Sequence, residues 1–286
     1  MKPVRFEYVA PSSLAEALAV LDQAGWGGKV LAGGQSLVPM MNFRLVRPEV
    51  LVDLNPLADL AGIEQDAEGW RIGAMTRHAA VESAAALAPL PVMARTARLI
   101  GHWAIRNRGT VGGSLAHADP AAEWGAVLTA LGATVEVARR GGTRTLAVAD
   151  LIVGPLTTAL EPNEIITAVR IPRAAAADRW GIYEVVQRPG DFALVGAVAR
   201  VAGDDVTWTW FGLGGRPETR SVPGFGRLGE AERTAALKDA LAGVNPQSDG
   251  HVSGAWRQRV AVTAALRAYA DATGDHAQGG YGVHHG

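Results

Sequence analysis

Apolar and polar positions fall into short blocks along the 286 residues, and the block period switches repeatedly between that of strands and that of helices. The opening alternates through Phe6 and Tyr8 as a strand. Ser13-Leu14-Ala15-Glu16 then has the form of a capping box ahead of Leu14, Leu18, Val20 and Leu21, which belong to one helix. Gly25, Gly27 and Gly28 end that helix, and Lys29-Val30-Leu31-Ala32 is a β-run that leads directly into Gly33-Gly34. A short helix is expected over Leu37 to Leu45, a strand over Leu51 to Leu54, and a hairpin over Ile63 to Ile72 that turns at Asp66 to Gly69. Thr76 is placed to cap a helix through Leu87, Pro91 opens another as far as Ile100, and Pro120 to Leu131 repeats at helical spacing. Thr134 to Ala138 and Thr143 to Val148 pair about Arg140-Gly141-Gly142, and Ile165 to Ile171 is a further strand.

Pro172 and the alanines from 174 to 177 interrupt the pattern, so a domain change is expected there. Beyond it, Trp180 to Val186, Ala193 to Val201 and Val206 to Leu213 read as consecutive strands, followed by helices near Glu230 to Leu241 and Ala255 to Tyr269. A meander backed by helices is an α+β pattern. The division expected is therefore 1–175, itself in two halves of about 1–56 and 57–175, and 176–286. The tail from Gly274 to Gly286 is rich in Gly and His and is expected to be disordered or draped on a partner.

Composition narrows the function classes. Cysteine is absent, which removes disulfides, cysteine nucleophiles and cysteine-held iron–sulfur or zinc sites from this chain. The net charge of -1 offers no field for nucleic acid or an anionic membrane. Met1 to Glu7 holds no apolar run, and no later stretch approaches the length of a membrane span, so a cytoplasmic protein is expected.

The chemistry lies in two glycine turns, Ala32-Gly33-Gly34-Gln35-Ser36 and Thr110-Val111-Gly112-Gly113-Ser114. A diphosphate needs donors at close range, and glycine pairs supply main-chain N–H groups without a Cβ in the way. Gln35, Ser36, Thr110 and Ser114 add side-chain donors beside positions where helices begin. Glu123 follows on the first turn of the next helix, where a carboxylate would hold a ribose or ribityl hydroxyl. The G-x-G-x-x-G fingerprint of classical NAD binding is missing after any strand, and no Gly-Lys-Ser or Gly-Lys-Thr marks a P-loop.

Val30 to Met41 and Ile105 to Ala116, taken in order, closely resemble the flavin subunit of the molybdenum hydroxylases, the family of xanthine dehydrogenase and carbon monoxide dehydrogenase. The resemblance extends to Asp119-Pro120-Ala121-Ala122-Glu123, to Asn163 through Pro172 and to Arg188-Pro189-Gly190-Asp191-Phe192-Ala193, and it covers most of the chain. It implies an FAD-binding fold of the vanillyl-alcohol-oxidase type, PCMH-like, with two α/β subdomains followed by a C-terminal domain of antiparallel sheet and helices. It further implies that Lys29, Val30, Leu31, Ala32, Gly33, Gly34, Gln35, Ser36 and Leu37, with Gly109, Thr110, Gly112, Gly113 and Ser114, wrap the pyrophosphate. Ile100 and Gly101 would contact the cofactor, Glu123, often Asp in the family, a hydroxyl, and the strand through Ile165 and Ile166 would lie beside the isoalloxazine. Covalent members of the wider fold attach flavin through a histidine where this chain has Gln35, so the FAD is expected to be non-covalent.

The function implied is that of an electron-transfer subunit. Substrate is oxidised at a molybdopterin in a large partner, two [2Fe–2S] clusters in a small partner relay the electrons, and FAD here passes them on, in an expected dimer of heterotrimers. The cofactor carries that chemistry, so no catalytic side chain is expected. Two other readings compete: a stand-alone flavin oxidase or dehydrogenase with its own substrate pocket, and a scaffold that has lost its flavin. His78, His102 and His117 lack ligand partners at helical spacing, so no metal site is expected. Ser36 and Ser114 sit outside any G-x-S-x-G, which disfavours a hydrolase. Trp208 and Trp210 are expected in the core, and Tyr183 and Phe192 near the flavin.

Overall fold

In the computed structural model, which describes residues 2–275, Ser13 caps α1 (Leu14–Ala24) by accepting from the Glu16 N–H at 3.2 Å. The Glu16 carboxylate closes the turn one residue earlier than the capping-box pattern expects, on the N–H and hydroxyl of Ser12 at 2.7 and 2.9 Å. Ala17, Leu18 and Leu21 are the buried residues of this helix. It packs on a three-stranded parallel sheet of β1 (Glu7–Val9), β2 (Gly28–Leu31) and β3 (Val50–Asp53), with β3 in the middle. Between β2 and β3 runs α2 (Leu37–Asn42), shorter than its apolar run suggested because Arg44 adopts a left-handed φ of 61° that ends helical geometry.

The middle of the chain builds a five-stranded antiparallel sheet. The hairpin β4 (Ile63–Gln65) and β5 (Gly69–Gly73) is pinned by Asp66, whose carboxylate accepts from the N–H groups of Glu68 and Gly69, both at 2.9 Å. Thr76 does not cap the helix expected of it. Its hydroxyl both accepts from and donates to the main chain of Gly62 at 3.0 Å, and α3 is only His78–Glu82. Pro91 opens α4 (Pro91–Leu99), followed by α5 (Trp103–Arg106), α6 (Val111–His117) and α7 (Glu123–Ala130). The second expected hairpin forms as β6 (Thr134–Arg139) and β7 (Gly142–Ala147), leading through α8 (Val148–Leu151) to a small ribbon of β8 (Ile152–Gly154) and β9 (Thr157–Thr158). β10 (Ile165–Pro172) completes the sheet in the order β4-β5-β10-β6-β7.

The last part is a four-stranded meander, β11 (Arg179–Val185), β12 (Val195–Ala202), β13 (Asp205–Phe211) and β14 (Glu218–Val222), followed by α9 (Glu230–Ala240) and α10 (Gly254–Thr273). Trp208 and Trp210 are fully buried under α10, and their indole N–H groups donate to the Ala265 and Ala261 carbonyls at 3.1 and 3.0 Å. The opposite face of the meander contributes Trp180, Ile182, Val198 and Phe211 to the apolar core built around Trp124 and Leu128 of α7. This sheet therefore lies between α10 and the helices of the middle unit. No helix among the described residues is long and apolar enough to cross a membrane. The tail expected to be disordered or draped on a partner lies, from residue 276 on, outside the described residues.

Candidate functional site

The first glycine turn leaves β2 as an open loop of unspent donors. Among the described residues, the main-chain N–H groups of Gly33, Gly34, Gln35 and Ser36 and the Ser36 hydroxyl meet no protein acceptor. Gly34 has a φ of 73°, the conformation that turns consecutive N–H groups toward one side. The Gln35 amide folds back to donate to the Gly33 carbonyl at 3.2 Å. Four adjacent orphan donors in a half-exposed loop fit an oxyanion rich in acceptors, which is what a dinucleotide pyrophosphate presents.

The second turn lies directly against the first but uses its glycines differently. A Cβ on Gly33 would stand 2.4 Å from the Arg108 carbonyl oxygen and 2.7 Å from the Gly109 Cα, and one on Gly113 would reach the Ala32 Cβ at 3.2 Å. A Cβ on Gly112 would be 2.5 Å from that of Ala74, and one on Gly109 would be 2.6 Å from the His78 ring. The N–H groups here are already engaged: Val111 to Thr76, Gly112 to Ala74, Gly113 to the Thr110 hydroxyl that caps α6, and Ser114 to the Thr110 carbonyl. From sequence, both turns are expected to serve alike as donors. In the structure the first supplies main-chain donors, while the glycines of the second supply close packing that presses it onto the first.

A polar bracket that no motif announced ties the two turns together. The Asn55 amide donates to the Ala32 carbonyl at 3.0 Å and to Asp53, and its oxygen accepts from Arg77 at 2.6 Å. Arg77 also donates to the Arg108 carbonyl, at the head of the second turn. Tyr8 holds the other oxygen of Asp53 at 2.6 Å, and the Asp53 carboxylate raises the phenol above its ordinary pKa. Burial, with Arg108 adding, pulls the Arg77 guanidinium below its usual value. His78 backs the second turn: its main-chain N–H donates to the Gly109 carbonyl at 3.1 Å, and its ring Nδ1 accepts from the Trp124 indole at 3.0 Å. Burial, with Arg77 and Arg106 nearby, lowers its pKa to about 4, so the ring is a neutral structural acceptor.

The other expected contacts spread around this centre. Lys29 is exposed at the edge of β2, whereas Val30 and Ala32 pack against the apolar cluster that contains Ile165. Ile165 and Ile166 are both buried. β5 stops pairing with β10 at Ala168, which leaves them no strand neighbour on that edge. Ile100 and Gly101 follow α4, and their carbonyls accept from Arg106, which in turn pairs with Glu82 at 3.1 Å. Gly190 stands against the His102 ring, and Trp103 and Phe192 nearby are 72% and 62% exposed. Tyr183 instead packs into the core beneath α10.

Glu123 opens α7 at 5% exposure, and burial, with the Asp119 charge adding, raises its carboxyl to about 7. Burial and the Glu123 charge raise Glu184 of β11, which sequence reasoning missed, to about 9, and its Oε2 has no partner. No group of three or more His, Asp or Glu able to hold a metal occurs among the described residues. A cavity of 320 Å³ lined by Asn55, Met75, Thr76 and Arg77 lies on the bracket, not on the open donors.

The family of the FAD-binding domain in molybdopterin dehydrogenase matches residues 4–174. The chain is 36% identical over 283 residues to the alpha subunit of the 6-hydroxypseudooxynicotine dehydrogenase complex of Paenarthrobacter nicotinovorans, covering 95% of this chain and 96% of that one. It is 35% identical over 280 residues to the carbon monoxide dehydrogenase medium chain of Afipia carboxidovorans, covering 94% and 96%. In structure it is similar to a chain of quinoline 2-oxidoreductase from Pseudomonas putida 86, with a TM-score of 0.88 at 33% identity over 96% of this chain and 99% of that one.

Proposed function

The chain belongs to the FAD-binding domain family of molybdopterin dehydrogenases, and from that premise we propose that it is the flavin subunit through which a three-component molybdenum hydroxylase discharges its electrons. In this reading a large partner subunit would hold the molybdopterin at which substrate is oxidised, a small one two [2Fe–2S] clusters, and this chain the FAD that serves as outlet to an external acceptor. Bound FAD supplies the step between one-electron carriers and a two-electron acceptor. The chain's own residues bind and orient it: Gly33, Gly34, Gln35 and Ser36 at the pyrophosphate, Thr110 and Ser114 beside them, Glu123 on a hydroxyl, and the unpaired edge of Ile165-Ile166 alongside the ring. The observation that carries this reading is the row of four orphan N–H groups pressed against a second glycine turn.

Attachment is non-covalent in this reading, because Gln35 offers no nucleophile and its amide is turned to Gly33. The FAD-binding unit is taken as 1–175 with its halves meeting near residue 56, and the C-terminal unit as 176–286. The absence of cysteine supports placing both clusters in a partner. The family resemblance extends the proposal to a cytoplasmic pair of such heterotrimers. In this reading the large partner sets which substrate is oxidised, in keeping with similar chains in relatives named for 6-hydroxypseudooxynicotine and for carbon monoxide.

Purification from its own cells tests this directly. The chain is expected to co-elute with two partners carrying molybdenum and iron, and its flavin to bleach with substrate only when they are present. Bleaching by substrate in the isolated chain would instead establish a self-sufficient flavin enzyme.

A further inference from the structure

Side-chain direction on β11 sets Glu184 apart from its neighbours. A Cβ on Gly181 would run into the Ala268 carbonyl of α10 at 2.0 Å, and Tyr183 packs into the core under that helix, so odd positions face α10. Trp180 and Ile182 bury their side chains in the core of the middle unit, and Glu184 continues that face. Opposite Glu184 across the ladder is Gly196, whose missing Cβ leaves room for the Phe211 ring. The next residue after Phe211, Gly212, donates to the Pro120 carbonyl at 2.9 Å, three residues before Glu123. Strand register and this one hydrogen bond therefore bring Glu184 and Glu123 to the same point of the seam.

Neither carboxyl has a partner suited to it. Glu123 is almost fully buried and no other residue donates to it, while Glu184 Oε2 is buried without any hydrogen bond. Asp119 adds a third acid nearby. Of the cations on the elements packed here, Arg95 of α4 is engaged with Asp271 of α10, Arg98 of α4 with Glu82, Arg257 of α10 with Asp249 and the Leu194 and Gly212 carbonyls, and Arg200 of β12 with Asp178. Buried Glu123 and half-buried Glu184, with no cation bonded to either among the described residues, cannot both carry charge cheaply, and they favour one shared proton.

Resting on the assignment of Glu123 to an FAD hydroxyl, we propose that Glu184 is a further cofactor-binding residue. The pair takes that hydroxyl as a bridge, with protonated Glu184 donating to its oxygen and ionised Glu123 accepting its proton. Binding of FAD is then linked to a proton that Glu184 must keep. Loss of this proton removes the donor and leaves two like charges around the hydroxyl.

The full chain, stripped of flavin, is titrated with FAD from pH 7 to 10 and followed by flavin fluorescence. The wild-type Kd is expected to rise about tenfold between pH 8 and 10 by proton linkage. Glu184→Gln, a neutral isostere that keeps a donor, is expected to give a flat profile from pH 8 to 10, whatever its affinity at pH 7.5. Any ionisation of FAD itself would appear in both. A flat wild-type profile, or the same rise in both proteins, overturns the proposal. Gly33→Val separates the two layers: it is expected to abolish binding at every pH, and if it binds normally, placement of FAD at the turns falls instead. Should Glu184→Gln fail to fold, infrared difference spectra of the wild type decide, since a protonated carboxyl band must shift when FAD binds and an unmoved band refutes the bridge.

Discussion

Asn55 spends its whole side-chain amide on the geometry of the two turns, with one end on the Ala32 carbonyl and Asp53 and the other on Arg77, which continues to Arg108. Nothing in that arrangement touches the open N–H groups, so its effect on a ligand is exerted through their spacing. Asn55→Ala removes a donor and an acceptor and leaves a half-buried guanidinium short of a partner, a loss of about 1–2 kcal/mol of stability. If the bracket sets the distance between the turns, FAD affinity falls with it by about tenfold, the equivalent of about 1.4 kcal/mol. Thermal unfolding of the flavin-free chain and a fluorescence titration with FAD measure the two effects separately. An unchanged Kd in a destabilised variant would make the bracket part of the fold only. Asn55→Asp discriminates further: it keeps an acceptor for Arg77, loses the donor to Ala32, and sets a charge beside Asp53.

At the scale of elements, α3 and α7 are joined through His78, whose ring accepts from Trp124 on one side and fills the space under Gly109 on the other. The neutral ring is required for that hydrogen bond. Its pKa is about 4 in the folded chain against an ordinary 6.5, so the unfolded chain binds more protons between those values and stability is lost as pH falls through that window. The loss contributed by His78 reaches up to about 3 kcal/mol by pH 4, at about 1.4 kcal/mol per pKa unit. Urea unfolding at pH 7 and pH 5 checks it: His78→Gln starts less stable at pH 7 and loses less on acidification, whereas parallel losses in both proteins would place the acid sensitivity elsewhere. The sequence made α1, α4, α9 and α10 and both hairpins legible because each has its own local signal, a cap, a proline or a turn residue beside a periodic apolar run. It did not show α3 starting only at His78, behind Arg77, since Thr76 bonds to Gly62 instead of capping the helix. Nor did it show β14, whose Glu218-Thr219-Arg220-Ser221-Val222 lacks apolar alternation and pairs as an edge strand. The turns were legible as glycine motifs, but Asn55, Arg77 and Glu184 were not. Apart from Asp53, Asn55 and Arg77 find their partners 22 to 31 residues away, and Glu184 lies 61 positions from Glu123, so no spacing rule reaches them.

For the whole molecule, the boundary near residue 175 is a break in the chain pattern without being a break in the core. Trp180, Ile182, Val198 and Phe211 from the meander share one apolar cluster with Trp124, Leu128 and Val135, while α10 closes only the far side of the sheet. Cutting after residue 175 uncovers the α7 side of that cluster and removes Glu184 from beside Glu123. A fragment of residues 1–175 is therefore expected to bind a dye that reports exposed apolar surface and to take up FAD poorly, although every residue of both glycine turns is present. The intact chain is expected to unfold in one transition, and FAD at about a hundred times its Kd adds about 2.7 kcal/mol, which raises the midpoint by about 4 °C for a chain of this length. A fragment that unfolds cooperatively and shows the same FAD-dependent rise would mean that the meander is an appended module. Loss of the rise in the fragment, with the rise kept in the full chain, would make the seam between the two units part of the flavin site.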